Sequence, residues 1–137
     1  THAAAVKEIA GRPGTLIHGE FYPSNVLVQE RWGERHIRPV DWEMAGVGPP
    51  LLDLAALTSG EWDTRARTAM ALAYRDAALQ AGALMEPMDR FLRTLTACRL
   101  LLAVQWLGWG RGWEPPPHHR QNWLAEASRC AEELEEA

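Results

Sequence analysis

The chain has 137 residues, 47% of them hydrophobic and 23% charged, enough for one domain with a real core and too little for two ordinary ones. Fourteen Lys and Arg against eighteen Asp and Glu leave a net charge of −4. That balance argues against a general nucleic-acid binder, which needs clustered cations, and the apolar fraction argues against a disordered acidic tail.

In chain order, Ala3 to Ala10 reads as the end of a helix that Gly11-Arg12-Pro13-Gly14 stops. The period then changes. Thr15 to Ile17, Asn25 to Gln29 and His36 to Val40 are short runs rich in Val, Ile and Leu, with Gly33 marking a hairpin between the last two. From Leu51 the pattern is helical: Leu51 to Leu57, Thr64 to Ala81 ended by Gly82, Asp89 to Leu107, and His118 to Glu136. Phe91, Leu92, Leu95, Leu102 and Trp106 form the expected inner face of the third of these, and Gly108 to Pro117 breaks the chain after it. The expected class is α+β and mostly helical: a small strand-and-loop region followed by a helical bundle.

Cys98 and Cys130 lie in helical stretches without the spacing of a metal knuckle, so they read as buried thiols of a reducing compartment. Thr1-His2-Ala3 lacks the pattern of a signal peptide, and the apolar run Leu100 to Leu107 is too short to span a bilayer. A cytoplasmic protein with no membrane partner and no nucleic-acid partner is expected.

The chemistry concentrates in two segments. One is His18-Gly19-Glu20-Phe21-Tyr22-Pro23-Ser24-Asn25, entered from Leu16-Ile17 and left into Val26-Leu27-Val28. The other is Val40-Asp41-Trp42-Glu43, followed by Gly48-Pro49-Pro50-Leu51-Leu52-Asp53-Leu54-Ala55. Antiparallel pairing of the flanking strands brings Asn25 and Asp41 together with Glu20 on the adjoining loop. An amide oxygen beside two carboxylates suits a hard cation, and Mg²⁺ is the common choice.

These segments resemble the aminoglycoside phosphotransferase and choline kinase family, relatives of the protein kinases. His18-Gly19-Glu20 with Asn25 matches that family's catalytic loop, and Val40-Asp41-Trp42-Glu43 its metal segment; Gly48 to Ala55 matches the motif that follows. The resemblance implies the C-terminal lobe of a protein-kinase-like fold, with a short β-hairpin carrying the catalytic and metal-binding loops. Residues 1–14 would end a preceding helix and linker, 15–57 would carry the loops, and 58–137 would form a helical subdomain. It implies transfer of the γ-phosphate of ATP or GTP to a small-molecule hydroxyl with Mg²⁺ as cofactor. Asn25 and Asp41 would hold the metal, Glu20 would be the catalytic base, and His18 and Asp53 would brace the loop. Glu43 stays open between a metal contact, a substrate contact and a helix-start carboxylate.

Two departures matter. The family's catalytic Asp is Glu20 here, longer by one C–C bond, roughly 1.5 Å. Misplacement of about 1 Å can cost on the order of a hundredfold in rate, so the alternative is a pseudokinase or binding module without turnover. No phosphate-covering loop precedes Thr15, and Lys7 is the only lysine. The expectation is a C-terminal lobe whose N-terminal nucleotide lobe is absent, inactive alone, with homodimerisation over the exposed interface as one possibility. Trp106, Trp109 and Trp113 read as core and loop anchors or as the lining of a substrate pocket, with Trp109 and Trp113, in the expected break, the better pocket candidates. Glu43, Glu61, Asp63 and Glu114 lean towards a cationic acceptor such as an amino sugar or amino alcohol. His118-His119 reads as a solvated helix cap rather than a metal pair.

Overall fold

The structure, a computed structural model, describes residues 2–110, 112, 114 and 121–136. It is α+β and mostly helical, in agreement with the sequence. The first helix, α1 (His2–Ile9), buries Ala5 and Ile9 and ends at Gly11, whose φ of +83° supplies a left-handed stop. Arg12 locks that end in place by pairing with Glu8 of α1 and with Glu86, far along the chain.

Four short strands follow in two antiparallel pairs. The strand β1 (Thr15–Ile17) pairs with β4 (Gly46–Gly48), with Leu16 opposite Val47. Between them lies the hairpin of β2 (Val26–Arg31) and β3 (Glu34–Pro39), in register from Val26–Pro39 to Arg31–Glu34. Its two-residue turn is Trp32-Gly33, both with positive φ (53° and 81°), the geometry that follows the right-handed twist of paired strands. Asn25 belongs to a 3₁₀ turn (Pro23–Asn25) rather than to the strand expected to start there. Proline at its head fixes φ and favours the tight turn.

The core is helical. The helix α4 (Met88–Trp109) lies centrally against α1, α2 (Leu51–Leu57) and α5 (Trp123–Glu136). Phe91, Leu95, Cys98, Leu102 and Ala103 of α4 meet Leu51, Leu54 and Ala55 of α2 and Ala127, Cys130 and Leu134 of α5 in one cluster. Both cysteines are free and buried, as expected. The helix α3 (Thr64–Gln80) buries only Ala71 and lies outermost, its Tyr74 ring stacked on Phe91 with centroids 6.4 Å apart.

Three expectations about the bundle are corrected. Leu92 is 43% exposed: α4 is apolar over more of its circumference than one neighbour covers, and the face centred on Leu95 and Cys98 wins. The same helix runs through Gly108 to Trp109, because a single glycine near a helix end costs only about 1 kcal/mol. The last helix begins at Trp123, not at residue 118; Asn122 accepts a hydrogen bond from Ala125 through Oδ1 and so starts it. His118 and His119 lie outside the described residues. No helix among the described residues is long and apolar enough to cross a membrane.

Candidate active site

The strand β1 delivers the chain to His18, and everything around that residue holds the next turn still. Asp53, in the first turn of α2, accepts the backbone N–H of His18 at 2.7 Å on one carboxylate oxygen and that of Gly19 at 3.0 Å on the other. A carboxylate taking two amide donors is a strong, directional clamp. The His18 ring, 2% exposed, is held on both nitrogens. Nδ1 accepts from the Glu20 backbone N–H at 3.3 Å, so Nε2 carries the proton and donates it to the Val40 carbonyl at 2.9 Å. One imidazole thus ties the first segment to the second, and Phe21 and Trp42 flank it with centroids 5.6 and 4.6 Å away.

Gly19 is obligatory. Its φ is +85°, and an added Cβ would stand 2.3 Å from the Met44 carbonyl oxygen. Beyond it, Asn25 Nδ2 donates to the Glu20 carbonyl at 2.9 Å, and the Asn25 carbonyl accepts from Val40 N–H at 2.9 Å. The Asn25 amide oxygen is the atom left for a cation.

The strand β3 ends at Pro39, and Asp41 turns the chain with a φ of +66°, a conformation Asp tolerates better than most residues. The consequence is a cluster: Glu20, Asp41 and Glu43 each present a carboxylate oxygen, all within 4.8 Å of one another. Glu20 is half-buried; Asp41 and Glu43 are exposed. Three like charges at this separation repel, and a small divalent cation with a preference for oxygen relieves that repulsion. The donor set fits Mg²⁺.

The chain's own chemistry and its sequence now point the same way. The sequence model of the phosphotransferase enzyme family matches residues 2–95, from α1 into α4 and through both polar segments. This chain belongs to that family. The membership implies a kinase-like fold. No curated protein and no solved structure matches the chain.

The family segments account for His18, Glu20, Asn25, Asp41, Glu43 and Asp53, which the fold gathers from β1 to α2. The sequence did not single out Tyr22. Its hydroxyl accepts a hydrogen bond from Trp106 Nε1 at 2.6 Å, and burial pushes its pKa up to about 12. Trp106 in turn stacks on Trp123, with centroids 5.6 Å apart and planes 7° from parallel. The loop is thereby anchored to α4 and α5, and the excess of aromatics late in the chain was the available signal. Trp106 is therefore half-buried with a structural partner. Trp109 sits on the last turn of α4, edge-on to Trp106 at 6.5 Å and 59% exposed; Trp113 lies outside the described residues. Asp63 caps α3 by accepting from Ala66 N–H at 2.7 Å, so that carboxylate is engaged.

Proposed function

We propose that this chain carries the catalytic and metal loops of an ATP-dependent small-molecule kinase. It would transfer the γ-phosphate of ATP or GTP to a hydroxyl of an aminoglycoside, amino sugar or choline-like acceptor. The observation that carries the reading is the convergence of Glu20, Asp41 and Glu43 within 4.8 Å, on a loop clamped by His18 and Asp53, in a chain of the phosphotransferase family.

In this reading Asp41, with Asn25 and Glu43, holds Mg²⁺. When bound, the ion supplies positive charge against the phosphate oxygens, where charge builds in a loose phosphoryl-transfer transition state. Glu20 accepts the proton of the substrate hydroxyl on a carboxylate oxygen as that hydroxyl attacks. His18 is a positioning residue, because both its ring nitrogens are engaged by backbone groups; with Asp53 it fixes where Glu20 starts from. The exposed carboxylate of Glu43 beside the cluster supports a cationic acceptor.

A second reading has its own support. The extra methylene of Glu20 lets its carboxylate join the Asp41–Glu43 cluster rather than stand apart from it. A Glu20 spent on the cation would leave no base, and the protein would bind without turning over. Transfer of labelled γ-phosphate to a panel of hydroxylated amines, using the protein as its gene encodes it, separates the two. Turnover with Mg²⁺ that falls on the order of a hundredfold or more in Asp41→Asn supports the kinase. An inert wild type beside an active Glu20→Asp establishes the second reading.

A further inference from the structure

At the end of α2 remote from Asp53, a cleft of about 570 Å³ opens between α3, α4 and α5, lined by Trp62, Arg67, Leu92, Leu95, Arg99 and Arg129. Three guanidinium groups meet here, and their partners are unequally shared. Arg67 is fully used: Nε donates to Trp62 O, Nη2 to Gly60 O, and Nη1 lies 3.3 Å from Glu126. Arg129 is paired with both Glu126 and Glu133. Arg99 has only the Thr58 hydroxyl, 3.0 Å from Nη2; its Nε is buried without an acceptor among the described residues, and no carboxylate there lies within ion-pairing distance. The remaining acid on the wall, Asp63, is occupied in capping α3.

Arg99 is half-buried with its Nε fully buried, and a cation partly removed from water without an ion-pair partner is costly. Burial, with Arg67 and Arg129 close by, lowers the Arg99 pKa in spite of the opposing pull of Glu126. The apolar wall beside it, Leu92 and Leu95 with Trp62, gives the other half of a small-molecule site.

We infer that this cleft is a binding site for a small organic anion, whose carboxylate or phosphate pairs with Arg99 and whose apolar part lies against Trp62, Leu92 and Leu95. It is separate from the Glu20–Asp41–Glu43 cluster and needs neither nucleotide nor metal. Planar carboxylate or phosphate oxygens match the fork of a guanidinium, and the Thr58 hydroxyl already holds that fork on one side.

The test is calorimetric titration of the full protein with benzoate and with phenyl phosphate at fixed ionic strength, benzylamine serving as the cationic control. The expected result is that at least one anion binds, benzylamine does not, and Arg99→Met weakens binding roughly tenfold or more while Arg99→Lys retains part of it. Asp41→Asn should leave this binding unchanged, so the site stands or falls apart from the proposed kinase activity. Absence of binding by both anions, or equal binding in Arg99→Met, overturns the proposal. Should Arg99→Met fail to fold, the wild-type Trp62 indole N–H resonance, assigned by its loss in Trp62→Phe, decides. It must shift with added anion, and a resonance that stays put refutes the site.

Discussion

Asp53 lies 35 residues beyond His18 and holds it by the backbone, accepting its N–H at 2.7 Å while the second carboxylate oxygen takes the neighbouring Gly19 N–H. The first turn of a core helix is thus the ruler against which the Glu20 loop is set. Removing the carboxylate in Asp53→Ala orphans the partly buried His18 amide and leaves the exposed Gly19 amide to water, at a cost of about 1–2 kcal/mol. Asp53→Asn retains one acceptor oxygen and should lose about half as much. Urea denaturation gives both values; an Asn variant as stable as wild type would remove the clamp from this account.

Two glycines with nearly the same φ should respond differently to alanine. Gly33, in the β2–β3 turn, has a φ of +81° with nothing within 4 Å of an added Cβ, so Gly33→Ala meets only the left-handed backbone strain, about 1 kcal/mol. Gly19 meets the same strain and also the Met44 carbonyl at 2.3 Å, so Gly19→Ala should cost roughly 3 kcal/mol or more. It should also weaken divalent-cation binding, because relieving the clash displaces either the Gly19–Glu20 turn or the Glu43–Met44 segment, and each carries a carboxylate of the cluster. Equal costs at the two positions, measured by chemical denaturation, would mean the loop is looser than its hydrogen bonds suggest.

What the sequence disclosed follows from how each feature is encoded. The loop residues were legible because the segments that resemble the family keep fixed residue types at fixed spacing, and His18, Glu20, Asn25, Asp41 and Asp53 stand at those positions. Helices α2 to α4 were legible from their period and from Gly82. By contrast, β4 is Gly46-Val47-Gly48, three residues with no alternation to read, and it exists because β1 needs a partner. The joining of Glu43 to the cluster depends on the positive φ of Asp41, which no pattern announces. Leu92 was misread because apolar character alone does not say which side of a long helix its neighbours cover. The anchoring of Tyr22 by Trp106 spans 84 residues, beyond any local signal.

Alkali should destabilise the fold in a defined window. Burial raises the Cys98 thiol to about 12, the Cys130 thiol to about 11 and the Tyr22 phenol to about 12, from ordinary values of 9, 9 and 10. Below about pH 8 all three are essentially protonated in both folded and unfolded chains, and stability is unaffected by them. Between about pH 8 and 12 the unfolded chain releases protons that the folded one retains, so stability falls as pH rises. Urea melts at stepped pH should show this, and Tyr22→Phe should flatten the part above pH 10. At neutral pH both thiols should resist a disulfide reagent until the protein unfolds; rapid labelling of the native protein would contradict their burial.

The carboxylate cluster makes a prediction in which two observables move in opposite directions. Glu20, Asp41 and Glu43 repel one another within 4.8 Å, so the ion-free protein carries an electrostatic penalty that a divalent cation removes. Mg²⁺ should raise Tm in proportion to the logarithm of its concentration above Kd, about 1.4 kcal/mol at ten times Kd, and EDTA should reverse the gain. Asp41→Asn is a clean probe, because Asn accepts the left-handed φ of +66° at least as readily as Asp and the turn survives the change. Neutralising one of three like charges should leave the ion-free Tm equal to wild type or slightly above it. The same substitution should abolish most of the Mg²⁺-dependent rise, with Glu43→Gln giving an intermediate response. An Asp41→Asn protein that loses stability without Mg²⁺ and gains it normally with Mg²⁺ would show that the three acids meet for a structural reason, and the cation site would have to be sought elsewhere.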